Sequence, residues 1–280
     1  MTRRQRRHRT GGAVVAAGIV ACVCAGTGGC SGSDAVAGDA RTGASVALLR
    51  RAADRLVDAG SSKARTSMEM AAGGTRVTIR GEGGYDYRRR LGQLKVLLPQ
   101  DPAGADPHRP ITELLAPGAL FMKNRGAGVP ADKWVRVDTG TLSDGNLVTG
   151  GATDPFAAAE VLRGTRTATY LGRTEVAGTE VRHYRGTADL GQAAQAASAA
   201  GKGPLEAAAK GFATADVPFD AYLDDQGRLR KVRHRFSFVN GRHGKPVAVA
   251  STTVLYDFGA PVRVRLPAAG DIYAGRIAED

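Results

Sequence analysis

Between Ser67 and Leu266 hydrophobic side chains recur at every second residue in short runs, the period of strands with one buried face. Met68 and Met70 alternate with Glu69, and Val77 and Ile79 alternate with Arg76, Thr78 and Arg80. The pattern predicts two strands around a turn at Gly73-Gly74. A break follows at Gly83-Gly84, then Tyr85-Asp86-Tyr87 and a strand over Leu94 to Leu98. Gln100 to Pro110 is rich in Asp and Pro and reads as a loop. Ile111 to Ala116 and Ala119 to Lys123 flank Pro117-Gly118 as a hairpin, and Trp134 to Val137 adds a strand. Val217 to Leu223 and Leu229 to Val239 flank Asp224 to Gly227 as a long hairpin. Val247 to Phe258 follows the turn at Asn240-Gly241, Val262 to Leu266 is expected to close the sheet, and Pro267 onward reads as a tail.

The hairpin over Tyr170 to Leu190 is the sharpest of these signals, with β-branched and aromatic residues on both sides of Ala177-Gly178. Alanine tolerates a left-handed backbone poorly. The expected connection is therefore a type I turn with a glycine bulge, not a two-residue loop.

Three stretches switch to helical spacing. Val46, Leu49, Ala53, Leu56 and Val57 share one face of Ala44 to Ala59, opposite Arg50, Arg51, Asp54 and Arg55, and Gly60 ends the run. Asp154-Pro155 opens a second helix, Asp as N-cap and Pro at the first helical position, running through Val161 to Gly164. Leu190 to Phe212 is alanine-rich and reads as two short helices hinged at Gly201 to Pro204. The sum is about ten strands and three or four helices. Short connections make neighbouring strands antiparallel, and the strands do not alternate with helices, so the expected class is α+β rather than a doubly wound parallel sheet.

The first residues belong to export, not to the fold. Arg3, Arg4, Arg6, Arg7 and Arg9 form a basic n-region, and Gly11 to Ala25 an apolar run too short to span a bilayer. Residues 1–29 read as a lipoprotein-type signal peptide, on either the general or the twin-arginine export route. Thr27-Gly28-Gly29-Cys30 resembles a bacterial lipobox, with Ser31-Gly32-Ser33-Asp34 opening a polar tether. Cys30 is the expected lipidation residue. Cys22, after Ile19-Val20-Ala21, is the runner-up: it fits the box better residue by residue but would leave Cys24 and Cys30 as loose thiols. Residues 30–43 are then lipidated Cys and tether, and 44–280 a single domain. All three cysteines lie in the export segment, so no disulfide braces the fold.

The formal charge is +12, or +7 once the five arginines of the signal are removed. No dense basic patch is interleaved with aromatics, so a nucleic-acid partner is not expected. The Arg88-Arg89-Arg90 run is expected on a solvated strand face, with contact to an anionic lipid headgroup as the alternative. Candidate chemistry is sparse. His8, His108, His183, His234 and His243 are scattered and form no H-E-x-x-H or Cys/His set. His183 and His234 fall in strands and are expected to be hydrogen-bonded structural residues. There is no G-x-S-x-G elbow, and Gly201-Lys202 lacks the rest of a P-loop. Asp224-Asp225 precedes Gln226-Gly227 and is turn chemistry. Trp134 is expected in core or rim packing. No catalytic residue, metal ligand or cofactor follows from the sequence, which excludes an enzyme at this level of reading.

Three segments together resemble one family. Leu171-Gly172-Arg173 with His183-Tyr184-Arg185-Gly186 is one, and Val217-Pro218-Phe219-Asp220-Ala221-Tyr222-Leu223-Asp224 followed by Gly227-Arg228-Leu229-Arg230-Lys231 is another. Tyr256-Asp257-Phe258-Gly259-Ala260-Pro261-Val262 with Leu266-Pro267 is the third. The resemblance is to the LppX/LprG-type envelope lipoproteins of actinobacteria, related in fold to the carriers LolA and LolB. It runs from about Val46 to Pro267, and the alanine-rich segment and the Asp101 to Pro110 loop fall outside its pattern. It implies a curved, half-open antiparallel barrel wrapped around helices, LolA-like, with an apolar cavity between sheet and helices. It also implies lipid binding, an anchor on the extracytoplasmic face of the cell membrane, and transport or presentation of a lipid or glycolipid. A sensor or adaptor contacting another envelope protein on the same scaffold is the alternative function. No cavity residue carries over, because the resembling motifs are structural turns.

Overall fold

A computed structural model describes residues 42–275, apart from 73–74, 100–108, 127 and 240–245. Cys22, Cys30, His108 and His243 lie outside the described residues, as do the turns at Gly73-Gly74 and Asn240-Gly241. Helices α1 (42–50) and α2 (Ala52–Ala59) come first, separated by a single turn residue, Arg51. The helix is thus already formed at residue 42, two residues inside the expected tether. Gly60, at φ +85°, ends α2 as its sequence position suggests.

The strands are β1 (Ser61–Ala72), β2 (Thr75–Asp86), β3 (Leu91–Leu97), β4 (Ile111–Ala116), β5 (Ala119–Lys123) and β6 (Val135–Asp138). After α3 (Pro155–Val161) come β7 (Thr165–Val176) and β8 (Thr179–Asp189), then α4 (Leu190–Ala196) and α5 (Ala199–Gly211). β9 (Asp216–Leu223), β10 (Leu229–Val239) and β11 (Pro246–Tyr256) complete one sheet. Its order is β6-β5-β4-β3-β2-β1-β11-β10-β9-β8-β7, and every pairing is antiparallel. The first and last strands meet at the centre, Lys63 opposite Tyr256 and Ala71 opposite Ala248. Two meanders therefore grow outward from one long-range pairing, and the sheet stays open.

The helices cover one face, here called inner. Leu49, Ala52, Ala53 and Leu56 of α1 and α2, Phe156 and Val161 of α3, and Ala193, Leu205 and Ala208 of α4 and α5 are buried against it. The sheet supplies Ala64, Met68, Ile79, Leu94, Val96, Val232, Phe236 and Leu255 from its inward rows. Small helical side chains let the helices approach closely. A Cβ on Gly145 would come within 2.0 Å of the Pro204 carbonyl in α5. Asp154 caps α3 as expected, its Oδ1 accepting from the Phe156 and Ala157 amides at 2.7 and 3.2 Å.

Several expectations are corrected. Gly83-Gly84 is no break: β2 runs on to Asp86, and glycine is needed because a Cβ on Gly83 would stand 1.9 Å from the Gln93 carbonyl of β3. Ala177 and Gly178 have φ of +49° and +75°, and Val176 pairs directly with Thr179. This is a true two-residue left-handed loop. The right-handed twist of two long strands demands it, overriding the local preference of alanine. The helical break falls at Ala197-Ser198, not at Gly201 to Pro204. Ser198 caps α5 by accepting from the Gly201 amide at 3.2 Å, and the glycines and Pro204 sit inside the helix near its start. Proline there leaves free only a carbonyl close to the helix end.

Val262 to Leu266 forms no strand. It crosses the outer face, where Ser61 Oγ donates to the Ala260 carbonyl at 2.7 Å and Val262 lies over Gly84. The residues after Pro267 are not a free tail either. The Trp134 amide donates to the Asp271 carbonyl and the Tyr273 amide to the Trp134 carbonyl, each at 2.8 Å. Trp134, Val264 and Ile272 thereby cover Leu114, Ala119 and Phe121 in a small outer cluster, the packing role expected of Trp134. Arg88 to Arg90 form the β2–β3 turn, not a strand face: Arg88 donates to the last carbonyls of α2, and Arg90 stacks over Phe156 at 5.0 Å.

Candidate binding groove at the open end of the sheet

At the end of the sheet where β1 and β2 turn, the inner face is not fully covered by the described residues. Met70, Ile79, Leu98, Ile111 and Val148 enclose an apolar groove of about 430 Å³, with Asn124 and Arg125 on its rim. A second depression of about 290 Å³, bounded by Arg109, Val129 and Pro130, shares Leu98, Asn124 and Arg125 with it. The loop that supplies Val148 is held rigidly. The Asp144 carboxylate accepts from the amides of Asn146, Val148 and Thr149 at 3.0, 2.8 and 2.6 Å. Arg125 is fixed by donating to the Thr149 and Gly150 carbonyls, both at 3.3 Å. The rim cation therefore belongs to a preformed wall, and its positive end can face an anionic or polar head on a hydrophobic ligand.

A smaller inner cavity of about 60 Å³ lies among Tyr85, Leu115, Asn146, Phe156 and Leu205.

Between groove and inner cavity, the inward side of β4 places Ile111, Glu113 and Leu115 in a row. Glu113 is fully buried opposite Leu94 and Met122, and neither carboxylate oxygen has a hydrogen-bond partner. Burial pushes its pKa up to about 8, with Arg125 pulling the other way and Asp154 adding to the rise. The group is thus a neutral acid at pH 7. On the central strands β1, β11 and β10 lies a polar seam: Thr66 opposite Thr253, and Ser251 opposite His234. Thr153 donates to the Leu147 carbonyl at 2.9 Å and shares a 2.5 Å bond with Ser251. Thr66 Oγ1, Thr253 Oγ1 and both nitrogens of His234 have no partner.

His234 therefore departs from the expected hydrogen-bonded histidine. It is fully buried, and burial lowers its pKa to about 3. His183 does meet the expectation: its Nε2 pairs with Asp220 Oδ1 at 2.8 Å and its ring stacks on Tyr222 at 4.3 Å. Asp224 is turn chemistry, accepting from the Gln226 and Arg228 amides and from the Arg228 and Arg230 guanidiniums. Among the described residues no group of three His, Cys, Asp or Glu side chains could hold a metal, and no helix is long and apolar enough to cross a membrane. The sequence reading missed Glu113. The signal was there: in Ile111-Thr112-Glu113-Leu114-Leu115 the carboxylate shares the parity of Ile111 and Leu115, which places it inward.

No family model matches the chain, and no curated protein matches it. Solved structures do. The lipoprotein LppX of Mycobacterium tuberculosis is 10% identical, over 80% of this chain and 99% of that one, with a TM-score of 0.47. LprF of Mycobacterium bovis is 14% identical, over 81% and 99%, with a TM-score of 0.40. The MucA/MucB complex of Pseudomonas aeruginosa gives 15% identity, over 84% and 63%, and a TM-score of 0.32. The lipoprotein type that the sequence motifs resemble is thus among the solved folds this chain is similar to.

Proposed function

We propose that the chain is an extracytoplasmic lipoprotein, anchored to the cell membrane through Cys30, that binds a lipid or other hydrophobic molecule and carries or presents it in the envelope. The observation that carries this reading is the groove of Met70, Ile79, Leu98, Ile111 and Val148, an apolar trough with a fixed cation on its rim. Each methylene buried there contributes about 0.8 kcal/mol, so an acyl chain needs length and dryness and no special side chain. The test is mass spectrometry of a lipid extract from the purified protein. Stoichiometric lipid, lost on Ile111→Asp, is the expected result; a protein that purifies empty and takes up no fatty acid sinks the reading. For the anchor, Cys30→Ser is expected to release the protein to the medium. Release by Cys22→Ser instead moves the cleavage site.

An adaptor that contacts a protein partner is the second reading, favoured by edge strand β7. That strand leaves Tyr170 and Leu171 about half exposed beside an unpaired backbone edge, the kind of edge to which another chain can add a strand.

A further inference from the structure

The outer face of the sheet carries a charge pattern that the groove does not use. β1, β2 and β3 turn Lys63, Arg65, Arg76, Arg80 and Lys95 outward, and β10 adds Lys231, Arg233 and Arg235. The outward carboxylates in and beside these rows are Glu69, Glu82, Asp86, Asp220 and Asp257, so cations outnumber them eight to five. Four of the five acids are already matched, Glu82 by Arg65 at 3.1 Å, Glu69 by Arg233 at 3.2 Å, Asp220 by Arg235 at 2.7 Å and Asp257 by Lys63 at 2.8 Å. Arg76, Arg80, Lys95 and Lys231 have no acidic partner among the described residues.

The register turns this charge into a walled valley. β11 lies between β1 and β10, and its outward residues Ala250, Thr252 and Val254 are short and uncharged. Arg65 faces Val254, which faces Lys231; Ser67 faces Thr252, which faces Arg233. With strands about 4.8 Å apart, the two walls stand roughly 10 Å from each other, bridged at one point where Arg233 reaches across β11 to Glu69. On the β3 side lies a depression of about 500 Å³ beneath the C-terminal segment, walled by Lys63, Arg65, Lys95 and Arg263 with Glu82 among them, and floored by Gly83 and Gly84. Tyr256 in its wall carries the Arg65 guanidinium at 4.7 Å from its ring centre.

We propose that this outer face docks the domain onto an anionic lipid bilayer. The proposal rests on the envelope-lipoprotein reading for its location. Under that reading Ser31 to Arg41 is the only chain between anchor and fold, and its extended reach of roughly 40 Å keeps the domain near the headgroups. Once the face comes within a Debye length of the headgroups, about 10 Å, each unpaired cation favours an anionic surface by about fivefold, an attraction that salt screens. Phosphates spaced over a bilayer satisfy both walls of the valley at once. A single small anion engages only one.

The test uses the mature chain, residues 31–280, without its lipid, sedimented with vesicles of phosphatidylcholine alone or with 30% phosphatidylglycerol. Binding to the anionic vesicles, lost at 0.5 M salt, is expected. The triple variant Arg80→Glu, Lys95→Glu and Lys231→Glu is expected to weaken it at least tenfold, and the milder Gln versions about fivefold or more. Arg51→Glu, Lys202→Glu and Lys210→Glu change the net charge equally on the helical side and are expected to leave binding within twofold. Equal loss in both triple variants, no preference for anionic vesicles, or binding to soluble polyphosphate without vesicle binding overturns the proposal. Because the lipid-free chain is used, lipid found in the groove with no vesicle binding defeats this inference alone. Vesicle binding by a protein with an empty groove upholds it while the carrier reading fails.

Discussion

His234 and Ser251 face each other across β10 and β11 on the inner side of the sheet, yet they do not satisfy each other. Ser251 bonds to Thr153, and both ring nitrogens of His234 remain without a partner between Phe219 and Phe236. An orphaned buried polar group costs about 1–3 kcal/mol. His234→Leu is therefore expected to stabilise the fold by that order, read as a higher denaturant midpoint at pH 7.

The same residue weakens the fold at acid pH. Its pKa falls from 6.5 to about 3 on folding, so between those values the unfolded chain binds a proton that the folded chain does not. Stability contributed by the neutral ring is complete above pH 6.5 and is lost toward pH 3, by about 1.4 kcal/mol per pH unit. As pH falls from 7 to 4, the parent should lose stability relative to His234→Leu with this slope. Parallel curves would refute the assignment.

Glu113 acts in the opposite direction. Its folded pKa of about 8 lies above the ordinary 4.5, so the folded chain holds the extra proton between them, and stability falls as pH rises through that window. Glu113→Leu is expected to remove the alkaline loss and to raise stability at pH 8 by at least 2 kcal/mol, with little change at pH 5. A variant as sensitive to alkali as the parent would assign the loss elsewhere.

Gly83→Ala places a methyl group 1.9 Å from the Gln93 carbonyl in the middle of the β2–β3 pairing. The strands must separate to admit it. A loss of about 3 kcal/mol is expected, together with faster amide exchange on β3; an unchanged melting temperature would restore the turn reading of these glycines.

Ala177 occupies a left-handed position, where a Cβ costs about 1–2 kcal/mol. Asparagine visits that region more readily and suits the position before Gly178. Ala177→Asn is expected to gain about 0.5–1 kcal/mol in thermal unfolding, whereas Ala177→Val loses a comparable amount.

What the residue order determined by itself was local. The alternation of Met68, Glu69 and Met70, the Pro117-Gly118 and Asp224 to Gly227 turns, and the Asp154-Pro155 cap each depend on a few neighbouring residues, and each stands in the structure as read. The class followed too, since short connections leave only antiparallel pairing. What tertiary structure decided was whatever depends on residues far apart in the chain. The pairing of β1 with β11 joins segments nearly two hundred residues apart, and nothing near Lys63 announces Tyr256. That pairing aligns the basic rows of β1 and β10 around a neutral strand. Whether a glycine ends a strand or makes room for one depends on what crosses it: Gln93 at Gly83 and Val262 at Gly84. The twist of two long strands imposed the Ala177 turn against local preference. Strand period alone could turn Glu113 and His234 inward. That they would find no partner there was settled by which side chains the helices brought to meet them.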